Sequence, residues 1–353
     1  MPRAETCVAL ALTALLVAPA SGQETSARSP FRDQSVALAQ AAALERIEAA
    51  GRGLAVTAAV RAGAGGPPGP QDLEGEDEIK ASLAVAVQQV RASLAAADPE
   101  TAAALGDAVS AVLAEDEADG RADPRRAGLA ALAQRGRAAL VPPELGDDPG
   151  FRAALVAALL LDEGGVADAY EEAVGGERAA YAVGFAALDR VRVHLSALQP
   201  RLGGDEAAAL AAAVSALADL FPTPTAPSAL SPDPEDAEAL AQQLVASLET
   251  AVGADLYPGR DFADAAAVIR DLAGDGCAAV AGGAGAAGLE RLAIARSYYL
   301  RTISAPLKVV APELAKRIRA GLYPVRDGEG DAMAAACPDL LDALAAGRSV
   351  LAP

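Results

Sequence analysis

A single histidine, His194, serves the whole chain, so any imidazole chemistry must use it. Taking about 100° per helical residue, it lies about 120° from the axis of the apolar stripe Tyr181, Phe185, Leu188, Val191, Leu195 and Leu198, on the flank of that helix. It is read as a surface or boundary residue. No Gly-x-Ser-x-Gly elbow accompanies it, and Ser196, two residues on, points elsewhere, so an enzyme resting on His194 is the weakest functional reading. Arg192 lies about 40° from the same axis, which puts a guanidinium at the edge of the packed face. It is expected to pair with a carboxylate such as Asp162 or Glu163, or to hold an anionic ligand in a pocket. Arg296, between Leu292 and Tyr299 on another stripe, poses the same choice.

An internal echo supplies further candidates. Leu256-Tyr257-Pro258-Gly259-Arg260-Asp261 recurs 66 residues on as Leu322-Tyr323-Pro324-Val325-Arg326-Asp327. Proline stops the preceding helix and aspartate can cap the next, so each copy reads as a helix corner. Matched corners would present Tyr257, Arg260, Tyr323 and Arg326 to one ligand or partner.

Carboxylates are the abundant ligand type. They cluster at Glu74–Glu78, Glu115–Asp119, Glu235–Glu238 and at Asp168, Glu171 and Glu172. Negative charge before or at a helix start complements its dipole, which explains the first and third clusters as solvated faces. Asp168 and Glu172 stand one turn apart and, with Glu171, could share a hard cation. Calcium, magnesium or manganese would be the metals to expect, because one histidine cannot furnish a zinc-finger or His-based site. Asp327-Gly-Glu-Gly-Asp331 opens like a calcium loop but lacks the glycine at position six and the closing glutamate. The Gly282–Gly288 run has neither a preceding strand nor a Lys-Ser/Thr pair, so it is read as a flexible loop and not as a phosphate cradle.

The elements that must position these groups are helices. Leu44, Ile47, Gly51, Leu54 and Ala58 repeat at 3–4 spacing, as do Ile79, Leu83, Val87, Val90 and Leu94; Leu210, Val214, Leu217 and Phe221; and Leu240, Leu244 and Leu248. Period-two runs of β-branched residues are absent. Asp98-Pro99, Asp123-Pro124, Asp148-Pro149 and Asp233-Pro234 are N-cap plus N1-proline pairs, and glycine pairs mark helix stops. The fold is expected to be all-α, an antiparallel multi-helix bundle of about a dozen helices without a sheet. Alanine, roughly a quarter of the residues, allows the helices to approach closely. Residues 222–234 hold five prolines and are read as a linker between an N-terminal helical domain, 23–221, and a C-terminal one, 235–353.

Residues 1–22 are read as a secretory signal peptide: Arg3, an 11-residue apolar run from Cys7 to Val17, then small residues. That run is too short to span a bilayer, and no transmembrane segment is expected in the mature chain. Cleavage leaves Cys277 and Cys337, an even pair in an oxidising compartment and the expected disulfide. The 29 Lys+Arg against 48 Asp+Glu give a charge of −19, which repels phosphate backbones and argues against a nucleic-acid partner. The expectation is a non-catalytic extracytoplasmic helical protein that binds a partner protein or a small solute in a bundle groove or interdomain cleft. A carboxylate-based divalent-cation protein is the alternative.

Overall fold

Half of one helix is buried on every side, and the chain is organised around it. In the computed structural model, which describes residues 30–64, 70–114, 125–230, 233, 235–256, 262–323 and 330–352, residues 38–51 are buried without a break. In chain order the helices are α1 (Pro30–Asp33), α2 (Ser35–Ala64), α3 (Pro70–Gln88), α4 (Arg91–Ala97), α5 (Pro99–Leu113), α6 (Arg125–Leu140), α7 (Pro143–Gly146), α8 (Pro149–Leu161), α9 (Val166–Gly175) and α10 (Arg178–Leu198). They continue as α11 (Gly204–Leu220), α12 (Glu235–Val252), α13 (Phe262–Ala281), α14 (Gly285–Thr302), α15 (Ser304–Val310), α16 (Pro312–Leu322) and α17 (Gly330–Leu351), with a 3-10 turn, Gln199–Arg201, after α10. No strand occurs among the described residues, and the fold is all-α. The expected signal peptide, residues 1–22, lies outside them.

The sequence signals act where the physics requires. Asp98 accepts from the Thr101 amide at 3.0 Å and Asp148 from the Phe151 amide at 2.7 Å, each relieving an orphan donor beside an N1 proline. Asp233 does the same for the Glu235 amide at 3.0 Å. The Asp123-Pro124 pair lies outside the described residues. Gly176 ends α9 at φ 116°, a left-handed conformation that a side chain would strain.

Buried side chains form two cores. The first draws on α2 to α6 and α8 to α12; the second on α13 to α17, with Phe31 and Ala39 reaching in from the start of the chain. The proline-rich segment was expected to separate two units, yet it leads into α12, which packs on α8, α9 and α11. Ala237, Ala241, Leu244 and Leu248 of α12 all join the first core, so the change of core follows Leu256 and not the prolines. Prolines forbid a helix; they do not decide where the next apolar stripe finds its complement.

Small residues set the helix crossings. A Cβ on Gly53 of α2 would lie 2.8 Å from the Val183 amide nitrogen of α10, so these helices meet nearly backbone to backbone. Gly276 and Gly288 do the same for α13 and α14. Cys277 and Cys337 are bonded, with Cα atoms 5.8 Å apart, and tie α13 to α17 across a separation of 60 residues. Closing such a loop is worth about 4 kcal/mol in the chain-entropy description.

Candidate functional site

Helix α10 carries the histidine and the first candidate arginine, and the structure turns them to opposite purposes. His194 is buried, which corrects its expected surface or boundary position. The flank it occupies is covered by α2, whose Glu45 and Glu48 are fully buried. His194 Nε2 lies 2.9 Å from Glu45 Oε1, and Arg190, one turn earlier, donates to Glu45 from Nε at 2.6 Å. Arg137 of α6 bridges Glu45 and donates to Glu48 at 2.7 Å; Arg52 completes the set on Glu48 at 2.5 Å. Burial alone pushes the Glu45 carboxyl up, but the hydrogen bonds from His194 and Arg190 and the charge of Arg137 outweigh it and bring it down to about 2. An ionised Glu45 only accepts, so Nε2 carries the ring proton. This is a buried network of opposed charges, in which His194 Nδ1 makes no hydrogen bond among the described residues.

A second network surrounds the next residue of α2. Arg46 donates to Gln89 at 2.7 Å and to the Glu163 carbonyl at 3.2 Å, and lies 3.8 Å from Asp162. Asp162 also pairs with Arg301 at 3.2 Å. Arg296 binds Glu163 through both terminal nitrogens, at 3.2 and 3.4 Å, so of its two expected roles the structure shows the ion pair. Glu290, buried on α14, accepts from the amides of Ala92 at 2.6 Å and Ser93 at 2.9 Å. It thereby caps α4, whose own N-cap residue, Val90, offers no side-chain acceptor.

The three carboxylates considered for a cation do not converge. Glu171 is exposed, while Asp168 and Glu172 turn inward from the same helix face. Asp168 accepts from the Gly164 amide at 2.7 Å. Burial, followed by the charges of Asp168, Glu177, Glu78 and Glu163, pushes Glu172 up to about 8. Glu172, Glu78, Ser82 and Arg46 line a slit of about 20 Å³, room for about one water. Among the described residues no group of three or more His, Cys, Asp or Glu is arranged to hold a metal ion.

The other side of α10 opens onto a larger space. Leu210, Ala213 and Leu217 of α11 are buried in the first core, and the Phe221 ring beyond them lies edge-on at 5.4 Å from Tyr170 and tilted at 4.9 Å from Tyr181. With its end pinned, α11 packs chiefly on α12 and only sparsely on α10. Its adjacent stripe, Ala207, Ala211, Val214 and Ala218, is too small to fill the gap. A cleft of about 330 Å³ remains, within the range of small-molecule sites. Leu195 and Leu202 form the facing wall, and Ser196, Gln199 and Ser215 supply polar atoms. Arg192 is the single ionisable residue lining it. Its expected partners, Asp162 and Glu163, are engaged by Arg46, Arg301 and Arg296; Arg192 instead lies 3.6 Å from Asp189 of its own helix, with 37% and 50% of the two side chains exposed. Ser196 Oγ donates to the Arg192 carbonyl at 2.8 Å.

Of the corner residues, Tyr323 is exposed after α16. Tyr257, Arg260 and Arg326 lie outside the described residues. Sequence reasoning overlooked Glu45, Arg46, Glu48 and Glu290. The signal for the first three was present: they interrupt an alanine-rich helix with small or apolar residues on all sides, and a helix of that kind is buried with whatever charge it carries. No known protein family, curated protein or solved structure matches the chain.

Proposed function

We propose that the protein is a non-catalytic binding protein that holds a small solute in the cleft between α10 and α11 and works outside the cytoplasm. One observation carries the reading: the cleft joins apolar walls to a few polar side chains and one arginine, the composition of a ligand site. The two interior networks spend their charges on one another and present none of them to this space. The Cys277–Cys337 bond and the signal-like residues 1–22 support an oxidising compartment. Titration of the purified protein with N-phenyl-1-naphthylamine, a neutral dye that brightens in apolar surroundings, tests the cleft. Saturable brightening that Val214→Arg abolishes, with helical content unchanged, is the expected result. Brightening that survives Val214→Arg, or none at all, overturns the reading.

A further inference from the structure

We infer that the solute is a single-chain amphiphile bearing one carboxylate, its chain along the α10–α11 walls and its anionic head on Arg192. The inference rests on the cleft reading above and adds the chemical class. Charge complementarity selects it. In a chain of net charge −19 the cleft has one ionisable lining residue, and that residue is a cation. Arg192 has only a loose contact with an exposed aspartate, 3.6 Å away, so a carboxylate can take both prongs of the guanidinium without breaking a buried pair. The Gln199 amide and the Ser215 hydroxyl offer further donors for the head, whereas Ser196 already spends its proton on the Arg192 carbonyl.

Size and field narrow the class further. The space is that of a small ligand and not of a two-chain lipid. A doubly charged head would meet the field of the whole acidic molecule with one arginine to offset it. The same field disfavours docking on an anionic membrane surface, so the amphiphile is taken free from solution.

Displacement of bound N-phenyl-1-naphthylamine from the full protein by octanoate, octanol and octylammonium distinguishes the possibilities. Octanoate is expected to displace the dye about tenfold or more better than octanol, the worth of a charge-assisted hydrogen-bonded pair. Octylammonium should be the poorest of the three. Arg192→Gln should bring octanoate down to the level of octanol while leaving octanol unchanged, which also shows that the variant cleft is intact. Equal displacement by octanoate and octanol, or tighter binding of octylammonium, overturns the carboxylate assignment and leaves the cleft reading standing. Failure of all three on a dye that Val214→Arg does expel overturns the alkyl-chain assignment alone. A dye indifferent to Val214→Arg removes both.

Discussion

The two sides of α10 make the instructive comparison. Arg190 and Arg192 are two residues apart on one helix, yet the first is enclosed against Glu45 and the second stands at the mouth of a cleft. Toward α2, Arg52, Arg137 and Arg190 each lie within hydrogen-bond distance of Glu45 or Glu48 before any ligand arrives. Toward α11, a guanidinium meets apolar walls and small side chains, and its electrostatic demand is met by water and one exposed aspartate. Buried charges thus identify the fold's fixed points, and a loosely held charge beside an unfilled apolar space identifies a place to bind.

The α2 side should break hardest. Glu45→Ala removes the hydrogen-bond partner of Arg190 and His194, leaving Arg190 only Glu48 at 3.7 Å, and is expected to cost about 3–5 kcal/mol in urea unfolding, the usual penalty for removing one partner of a buried pair. The sign of the pH dependence follows from the lowered carboxyl. Glu45 binds its proton more weakly folded, near 2, than its ordinary 4.5, so its stabilisation is complete above about 4.5 and is lost as pH falls toward 2. Unfolding curves of wild type and Glu45→Ala should therefore converge as the pH falls through that window. Next comes Gly53→Ala, which forces a methyl onto the Val183 backbone where α2 crosses α10; about 1–3 kcal/mol is expected, with a lower thermal midpoint.

A third stretch of α10, where Ala180 and Val183 line the acidic slit, gives an effect of opposite sign. Glu172 keeps its proton up to about 8 when folded and loses it near 4.5 when unfolded. The unfolded chain is thus favoured progressively as pH rises between those values. Glu172→Gln should match the wild type below about 4.5 and become more stable above it, by about 1–2 kcal/mol near pH 8 after allowance for its partial exposure. A constant difference across the range would show that the slit does not perturb this carboxyl.

How much of this was legible in the sequence follows from the range of each cause. Periodicity and caps are local, so the Leu44–Leu54 stripe and the Asp98 and Asp148 caps could be read directly, and the Cys277–Cys337 bond followed from there being two cysteines left after the expected cleavage. Partner choice is not local. The stripe arithmetic placed Arg192 at the edge of a packed face, but it could not show that Asp162 and Glu163 would be claimed by Arg46, Arg301 and Arg296 from two other helices. His194 was assigned to a flank correctly in angle and wrongly in environment, because one helix's sequence does not say that α2 will cover that flank. The cleft itself is a difference between two packing choices of α11, and neither is written in α11 alone.

The smallest expected effect sharpens the comparison most. Arg190→Gln removes donors at 2.6 and 3.3 Å from a buried carboxylate that keeps His194 and Arg137, and should cost about 2–3 kcal/mol. Arg192→Gln removes a solvent-facing contact at 3.6 Å between residues three apart on one helix, and should change the urea midpoint by no more than about 0.5 kcal/mol with an unchanged slope. The chemical change is identical and the positions are two residues apart on one helix, so the ratio of the two costs isolates environment from helix propensity. If Arg192→Gln costs as much as Arg190→Gln, the guanidinium is already committed to the fold and has no free prongs for an anion. If it costs almost nothing, the charge survives at that position without a structural duty, at a cleft whose apolar walls would give a bound anion's chain a reason to stay.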